Sequence, residues 1–598
     1  MVYRPRGIES PIAYGAQSDL PFHEGKSRPD LLKKRVDPMD KRTILAFALS
    51  FAVLLLWSFF AAPPKDQNPP GRPRASVKAP AGTSSAPLPE KASPAPAPAP
   101  VGSNQTPEAE SRGPLSPVEE KEIRVETPLY KAVFSNVGPT LKSFQLKRYR
   151  RENNPRSPLI EMVSVPHEAG PCLSVDFGPR GRNPAGSTAF TTDKDLINLG
   201  RGSEPEDLTF KALTKEGLTI TKTFRLYPDE YRIDLTVTVE NPGGTPLDGN
   251  FSAALRALPP GKKKGYYSYV GLVGLVDGSL EEIELDDPGE AKELRGGIRW
   301  LAYEDDYFIS ALIPLPETNG VLAARKSKDG VLQVVHSGPA VTLTPSGRTT
   351  AHYALYFGPR DLEQLKKVEL DLDRAVNFGW TDIIARPLLY LLRFFYNYTR
   401  NYGVAIIILT ILIKIIFWPL THKSYKSMKE MQKLQPRMAK IREKYKGNKE
   451  QMNKELMALY KTYKVNPMGG CLPMIIQIPV FFALFRILGN AIELRHAPFM
   501  LWINDLSAPD RLFRFPFEIP FMSPPYGIPI LTLLMGASMF IQQKMTPTPG
   551  DPTQAKVMMF LPLIFTVMFI NFPSGLVLYW LVNNVLSIGQ QYRINRKK

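Results

Sequence analysis

A lysine set inside a long apolar run is the residue best placed to do chemistry in this chain. Lys414 interrupts Ile406-Ile407-Ile408-Leu409-Thr410-Ile411-Leu412-Ile413 on one side and Ile415-Ile416-Phe417 on the other. A lysine at the centre of a membrane-spanning helix is unfavourable by roughly 2.5 to 3.5 kcal/mol, so its ammonium is expected to face a hydrated cavity or a partner rather than lipid. Thr410 lies one helical turn away on the same face. The pair suggests one polar wall of a groove, with Gln477 on the next helix and Asn583, Asn584 and Ser587 on the last as contributors. The chemistry on offer is a fixed cation and neutral hydrogen-bonding groups within hydrocarbon. Plainer readings stand beside it: Lys414 snorkels to an interface, and the amides make ordinary interhelical hydrogen bonds. No Walker-type loop, zinc motif or nucleophile elbow occurs, and His167, His336 and His352 stand isolated. No catalytic residue, metal or cofactor is therefore expected, and the chain reads as non-enzymatic.

A second group of charges follows directly. Lys423, Lys426, Lys433, Arg437, Lys440 and Arg442 belong to a basic stretch opposed only by Glu430, Glu443, Glu450 and Glu455. Apolar residues Met428, Met431, Leu434, Met438, Ile441 and Tyr445 recur at helical spacing through it. Gly447-Asn448 is a plausible turn, and Met452, Leu456, Leu459, Tyr460 and Tyr463 form a second stripe, so an antiparallel helical hairpin is expected over 421–466, with Pro436 bending its first arm. Such a surface suits a ribosome, a targeting factor, an emerging chain or an anionic bilayer; charge alone does not separate them.

The elements that must position these groups are spanning helices. Thr43 to Ala62 is apolar and long enough, at about 1.5 Å per residue, to cross a hydrocarbon core of roughly 30 Å. Lys33, Lys34, Arg35, Lys41 and Arg42 precede it and should hold that end in the cytoplasm. Its ending, Phe59-Phe60-Ala61-Ala62-Pro63-Pro64, favours an uncleaved anchor over a signal peptide. Met39-Asp40-Lys41-Arg42 would itself start such an anchor well, so residues 1–38 are expected to be disordered or to reflect a misplaced start. Five further apolar stretches follow: Gly403 to Leu420, Cys471 to Leu488, Gly527 to Ile541, Val557 to Phe572 and Leu576 to Ile588. Positive charge in the 421–466 loop, at Lys544 and Lys556, and in the tail Arg593, Arg596, Lys597 and Lys598 puts both termini inside.

Between anchor and bundle lie two contrasting segments. Residues 63–120 are rich in Pro and Ala and should form an extended spacer. From 121 to 375 short runs alternate with period two, as in Tyr231, Ile233, Leu235, Val237 and Val239, with Leu218 to Leu226 as the expected pairing strand. The expected architecture is a membrane α-helical bundle of six transmembrane helices with a large periplasmic all-β sandwich domain and a cytoplasmic helical hairpin. Its segments are a cytoplasmic N-terminal stretch 1–42, an anchor 43–62, a linker 63–120, the β domain 121–375 and a five-helix core 376–598. Within that core Pro387 to Tyr398 reads as an interfacial helix. A net charge of +18 fits negatively charged partners. The two cysteines, Cys172 and Cys471, fall on opposite sides of the membrane, which argues against a disulfide.

Order and wording together make the core resemble the YidC/Oxa insertases. The similarity rests on Ile411 to Thr421 with its central cation, Asn466-Pro467-Met468-Gly469-Gly470-Cys471-Leu472-Pro473, and Phe572-Pro573-Ser574-Gly575-Leu576-Val577-Leu578-Tyr579-Trp580. Ala497-Pro498-Phe499, Leu501-Trp502-Ile503 and Asp505-Leu506-Ser507 add to it. The resemblance covers about Val376 to Tyr592, and the anchor and β domain look like the Gram-negative branch. It implies an inner-membrane insertase for newly synthesised membrane proteins, working alone or with the Sec translocon. It further implies a groove open to cytoplasm and lipid, with Lys414 as its cation and Tyr579 and Trp580 beside it. Many relatives carry arginine at the first position and a second tyrosine at the last; lysine keeps the charge without the guanidinium fork, and tryptophan keeps the ring without the phenol. Nascent membrane proteins, the Sec translocon, ribosomes meeting the hairpin and tail, and anionic lipids are the implied partners, with no small-molecule substrate. Two rivals remain, a secondary transporter using Lys414 on a solute path and an anchored periplasmic binding protein whose β domain does the work.

Overall fold

The computed structural model describes residues 120–178, 188–260, 269–463, 465, 472–546 and 552–596. Outside them lie the expected N-terminal stretch and anchor, the linker save Glu120, Cys471 and most of the Asn466 to Pro473 motif.

Alternation builds the β domain. Ile233, Leu235, Val237 and Val239 are buried on the strand Arg232–Glu240. That strand pairs antiparallel with Thr219–Leu226 on one side and with Arg348–Pro359 on the other. These strands belong to a 12-stranded sheet that faces a smaller 5-stranded one. Aromatic rings from the two sheets meet between them, Phe134 on Phe224 at 5.0 Å and Phe144 on Phe357 at 5.3 Å. Period two also drives one charge inward: Lys222 stands between Ile220 and Phe224 and is buried. Asp176 at 3.3 Å, the Gly138 carbonyl at 3.4 Å and the face of Phe190 satisfy its ammonium.

A short helix, α1 (Leu362–Val368), leaves the β domain, its first turn capped by the Asp361 carboxylate, which accepts from the Glu363 and Gln364 amides. Helix α2 (Asp382–Thr399) buries Ala385, Leu388, Leu389 and Leu392 and exposes Ile383, Tyr390, Phe394 and Tyr398, an amphipathic division. Arg393 on α2 joins these parts: it reaches Asp361 at 2.9 Å, Glu363 at 3.1 Å and, through Nε at 2.7 Å, the buried Glu493.

Helix α3 (Tyr402–Lys444) runs for 43 residues without a break. The sequence divides this stretch into a span ending at Leu420 and a separate hairpin arm with a bend at Pro436. The helix is continuous from the apolar stretch into the hairpin arm, running through Pro419 and Pro436, and no glycine or asparagine stop signal lies between Leu420 and Lys444. Helix α4 (Lys449–Thr462) returns along it, and Met431, Leu434, Met438, Leu456 and Val465 close the small core between them. The remaining helices are α5 (Leu472–Asn490), α6 (Ile530–Met545), α7 (Pro552–Phe569) and α8 (Ser574–Arg596). Among the described residues α3 alone is long and apolar enough to cross a membrane by length and composition; α5 and α7 contain shorter apolar stretches.

Side-chain contacts fix the helix directions. On α3 and α8 the partner numbers rise together, so these helices are parallel. Ser538 to Asn584 and Met545 to Gln591 make α6 parallel to α8 as well. On α5 the order reverses, Gln477 near Asn583 and Phe485 near Phe572. The β domain docks at the end where α3 and α8 begin: Arg495 donates to the Arg150 carbonyl at 2.6 Å, and Asn153 donates to the Asn504 carbonyl at 2.6 Å. The α3–α4 hairpin occupies the opposite end.

Candidate functional site

Lys414 retains 7 % exposure although its neighbours Ile415 and Ile416 on the same helix are more than 60 % exposed. The apolar face of α3 is thus turned outward and the cation inward. Its Nζ lies 2.5 Å from Ser587 Oγ and 3.2 Å from Asn583 Oδ1, both on α8. Asn583 Oδ1 also accepts from Gln477 Nε2 at 3.2 Å, and that amide nitrogen lies 3.4 Å from the Tyr579 hydroxyl. Four of the residues singled out in the sequence therefore form one chain, Lys414, Asn583, Gln477 and Tyr579, across three helices.

Ser587 joins that chain at Lys414, and three others, Thr410, Trp580 and Asn584, sit differently. Thr410 is buried and donates to the Ile406 carbonyl of its own helix at 2.6 Å. Trp580 packs edge-on against Phe481 at 4.7 Å and Phe569 at 5.0 Å, in an aromatic cluster joining α5 and α7 to α8. Asn584, about 100° round α8 from Asn583, faces α6 and donates to Ser538 Oγ at 3.1 Å.

The polar chain continues toward the hairpin in a way the residue-by-residue reading missed. Thr421 and Gln590 bond each other at 2.9 Å, and Lys429 Nζ meets the Ile594 carbonyl at the last turn of α8 at 3.1 Å. Lys414, Thr421 and Met428–Lys429 are spaced by seven, which returns a helix to nearly the same face. That recurrence, read against Asn583, Ser587, Gln590 and Ile594 on α8, was the available signal. The result is a polar seam about 22 Å long between two parallel helices, rising from mid-bundle to the hairpin.

On the hairpin Lys423, Lys426, Lys433, Arg437 and Lys440 are exposed and Arg442 is half-buried. Lys433 pairs with Glu430 at 3.0 Å, and Arg437 lies over the Tyr463 ring at 4.9 Å. Their charge is therefore presented outward around a closed apolar core.

In the β domain His336 is buried and its imidazole is pushed down to about 4 by that burial. His352 bonds Thr236 at 3.1 Å and lines a cleft of about 480 Å³ with Asp207, Arg225 and Asp234. Among the described residues no group of three or more His, Cys, Asp or Glu side chains could hold a metal ion.

Two family descriptions match this chain: 60Kd inner membrane protein over residues 394–598, and YidC periplasmic domain over residues 122–391. The protein named membrane protein insertase YidC from Syntrophus aciditrophicus is 44% identical over 566 residues, 94% of this chain and 100% of that one. Its counterpart from Syntrophobacter fumaroxidans is 42% identical over 563 residues, 93% of this chain and 100% of the other. A solved structure described as an active YidC insertase with its first transmembrane domain resolved aligns at 18% identity and a TM-score of 0.34, covering 79% of this chain and 93% of that one. On the strength of the sequence matches along nearly its whole length, this chain belongs to the YidC family of membrane protein insertases.

Proposed function

We propose that this protein inserts newly synthesised membrane proteins into the inner membrane, using the seam around Lys414 to receive their polar ends. The observation that carries the reading is a buried ammonium on an apolar helix whose hydrogen-bond partners, among the described residues, are neutral side chains of α8. Neutral partners can be exchanged for a client's carboxylate or backbone carbonyl without leaving a second charge stranded. The client's apolar segment then leaves along the protein–lipid boundary, and its partitioning into lipid drives release. The protein's own groups bind and orient; none is required to react.

In this reading α3, α5, α6, α7 and α8 span the bilayer with the anchor at 43–62 as a sixth span, and both termini are cytoplasmic. The parallel course of α3, α6 and α8 supports it, because alternation then places the hairpin and the end of α8 on one side and the β domain on the other. Helix α6, at 16 residues, is about 24 Å long and suits a locally thin bilayer. The exposed hairpin cations and the basic tail offer a surface to ribosomes and anionic lipid, and the Sec translocon is a candidate partner for some clients. The segments keep the limits set out from the sequence: 63–120 a spacer, 121–375 the periplasmic domain and 376–598 the core.

Photo-crosslinking to a stalled nascent client tests the seam. A crosslinker replacing Asn583 should capture the client's polar tail, while one replacing Ile416, 64 % exposed on the outer face of α3, should capture its apolar segment. Capture of the tail from position 416 alone would defeat the proposal.

A further inference from the structure

Between α5 and α6 the chain forms a second, much smaller hairpin, Leu512–Phe515 paired antiparallel with Tyr526–Ile528. Its aromatic side chains do not fold back on the bundle. Phe513, Phe517 and Phe521 are 67, 59 and 82 % exposed, and Leu501 in the preceding turn is 80 % exposed. A single exposed phenylalanine is ordinary, but a group of this kind on one projection marks an interaction surface.

The backbone supplies an independent observation. Leu501, Phe513 and Phe521 have φ of 55°, 53° and 63°, the left-handed region that bulky residues seldom adopt. At Phe513 the pairing register shifts between Leu512 and Arg514, a bulge that lifts this side chain out of the ladder. The partner strand accommodates it with Gly527, where an added Cβ would come within 2.2 Å of the Phe513 carbonyl oxygen. Strained backbone that holds apolar side chains in the open is a feature associated with function.

The projection is also firmly seated. Arg511 donates to the Pro525 carbonyl at 2.8 Å and to the Ile570 carbonyl at 2.9 Å, and Asn571 donates to the Phe521 carbonyl at 2.9 Å. These bonds tie the hairpin to the α7–α8 turn. Leu533 and Leu534 near the start of α6 and Met568 in the last turn of α7 are also exposed. Arg514 is exposed on the projection, and Glu518 is the single acid between Arg511 and Ile528.

We propose that this aromatic hairpin is embedded in the interfacial layer of the outer leaflet, with phospholipid as its partner. Its phenylalanines sit at the acyl boundary beside α6 and α7, and Arg514 meets the phosphates. Aromatic residues with nearby cations are suited to that layer. The proposal rests on the reading of α6 and α7 as spanning helices, so its test must separate the two.

The full chain carrying Cys471→Ser, with Cys172 buried, is labelled with an environment-sensitive fluorophore at Phe517→Cys or Phe521→Cys. It is reconstituted in phosphatidylethanolamine–phosphatidylglycerol vesicles with brominated or ordinary chains. Leu563→Cys, on the outward face of α7, reports on spanning, and Leu213→Cys, 65 % exposed in the β domain, reports on water. The expected result is a loss of emission in brominated vesicles at 517 and 521 comparable with that at 563, and none at 213. Quenching at 563 without quenching at 517 and 521 overturns the hairpin's lipid contact, whether their emission is water-like or blue-shifted against a second copy or a client. No quenching at 563 overturns the spanning reading and takes the proposal with it.

Discussion

Removing the partners of Lys414 measures whether the seam is wet. Ser587 Oγ at 2.5 Å and Asn583 Oδ1 at 3.2 Å hold the ammonium, and the residue keeps 7 % exposure. A hydrogen bond to a charged group is worth about 1.5 to 3 kcal/mol when nothing replaces it. In a dry seam the double variant Asn583→Ala, Ser587→Ala would therefore lose ~3–6 kcal/mol, a large share of the ~5–15 kcal/mol that holds a protein folded. In a seam that water can enter, each lost partner is replaced by a water whose ordering costs at most about 2 kcal/mol and commonly much less, so the total loss stays below ~4 kcal/mol and nearer ~1–2 kcal/mol. The double variant is the right one to make because in either single variant the remaining partner still holds the ammonium. Equilibrium unfolding in mixed micelles, followed by circular dichroism, reads the difference. A groove that receives clients must admit water, so the small loss is expected; a loss above ~4 kcal/mol would show a dry structural contact and refute the reasoning.

Arg393, Glu304 and Gly536 give three further outcomes. Arg393→Ala leaves the buried Glu493 and the capping Asp361 without their cation and should cost about 3–5 kcal/mol; hydrogen exchange should then accelerate across α1 and the start of α2, and unchanged protection would contradict it. Glu304 is buried beside Arg360 at 3.4 Å, and burial raises its carboxyl from 4.5 to about 7. Its neutral form is the one the fold accommodates, so the stability it contributes is full below about pH 4.5 and is lost as pH rises through about 7. Denaturation of the β domain should show Glu304→Gln gaining on the unsubstituted protein across that window, and a pH-independent difference would refute this. At Gly536 an added Cβ would lie 2.1 Å from Thr566 Oγ1, so Gly536→Val should force α6 and α7 apart and cost about 1–3 kcal/mol; an unchanged unfolding midpoint in micelles would contradict the close approach.

How much of this could be read from sequence differs from element to element. The strand around Ile233 was legible because one face is buried and the other is not, which writes period two directly into the residues. Lys222 shows the limit of that rule, since alternation places it inside but cannot reveal that Asp176, distant in sequence, is there to meet it. The hairpin stripes of α3 and α4 were legible for the same reason as the strand, at helical period. The continuity of α3 through Pro419 and Pro436 was not, because a hydropathy boundary is a change of environment rather than a break in hydrogen bonding. Lys414 announced itself through the cost of its position, but its partners could be named only as candidates. Asn583, Asn584 and Ser587 look alike in sequence, and rotation of α8 decides that the first and third face the cation while the second faces Ser538. Nothing in the sequence sets apart the phenylalanines of the 512–528 hairpin, because no periodicity there tells an exposed ring from a buried one.

If the seam receives clients as proposed, this chain should insert a simple client without other proteins, and Lys414 should be needed for it. That expectation is tested most directly by protease protection of a short single-span client with a charged translocated tail, synthesised with liposomes containing only this protein or its Lys414→Ala variant. The account predicts protection well above empty liposomes for the unsubstituted protein and a several-fold loss for the variant. Protection no better than empty liposomes with folded, correctly oriented protein would contradict autonomous insertion, and equal protection by both would remove the seam's cation from the mechanism.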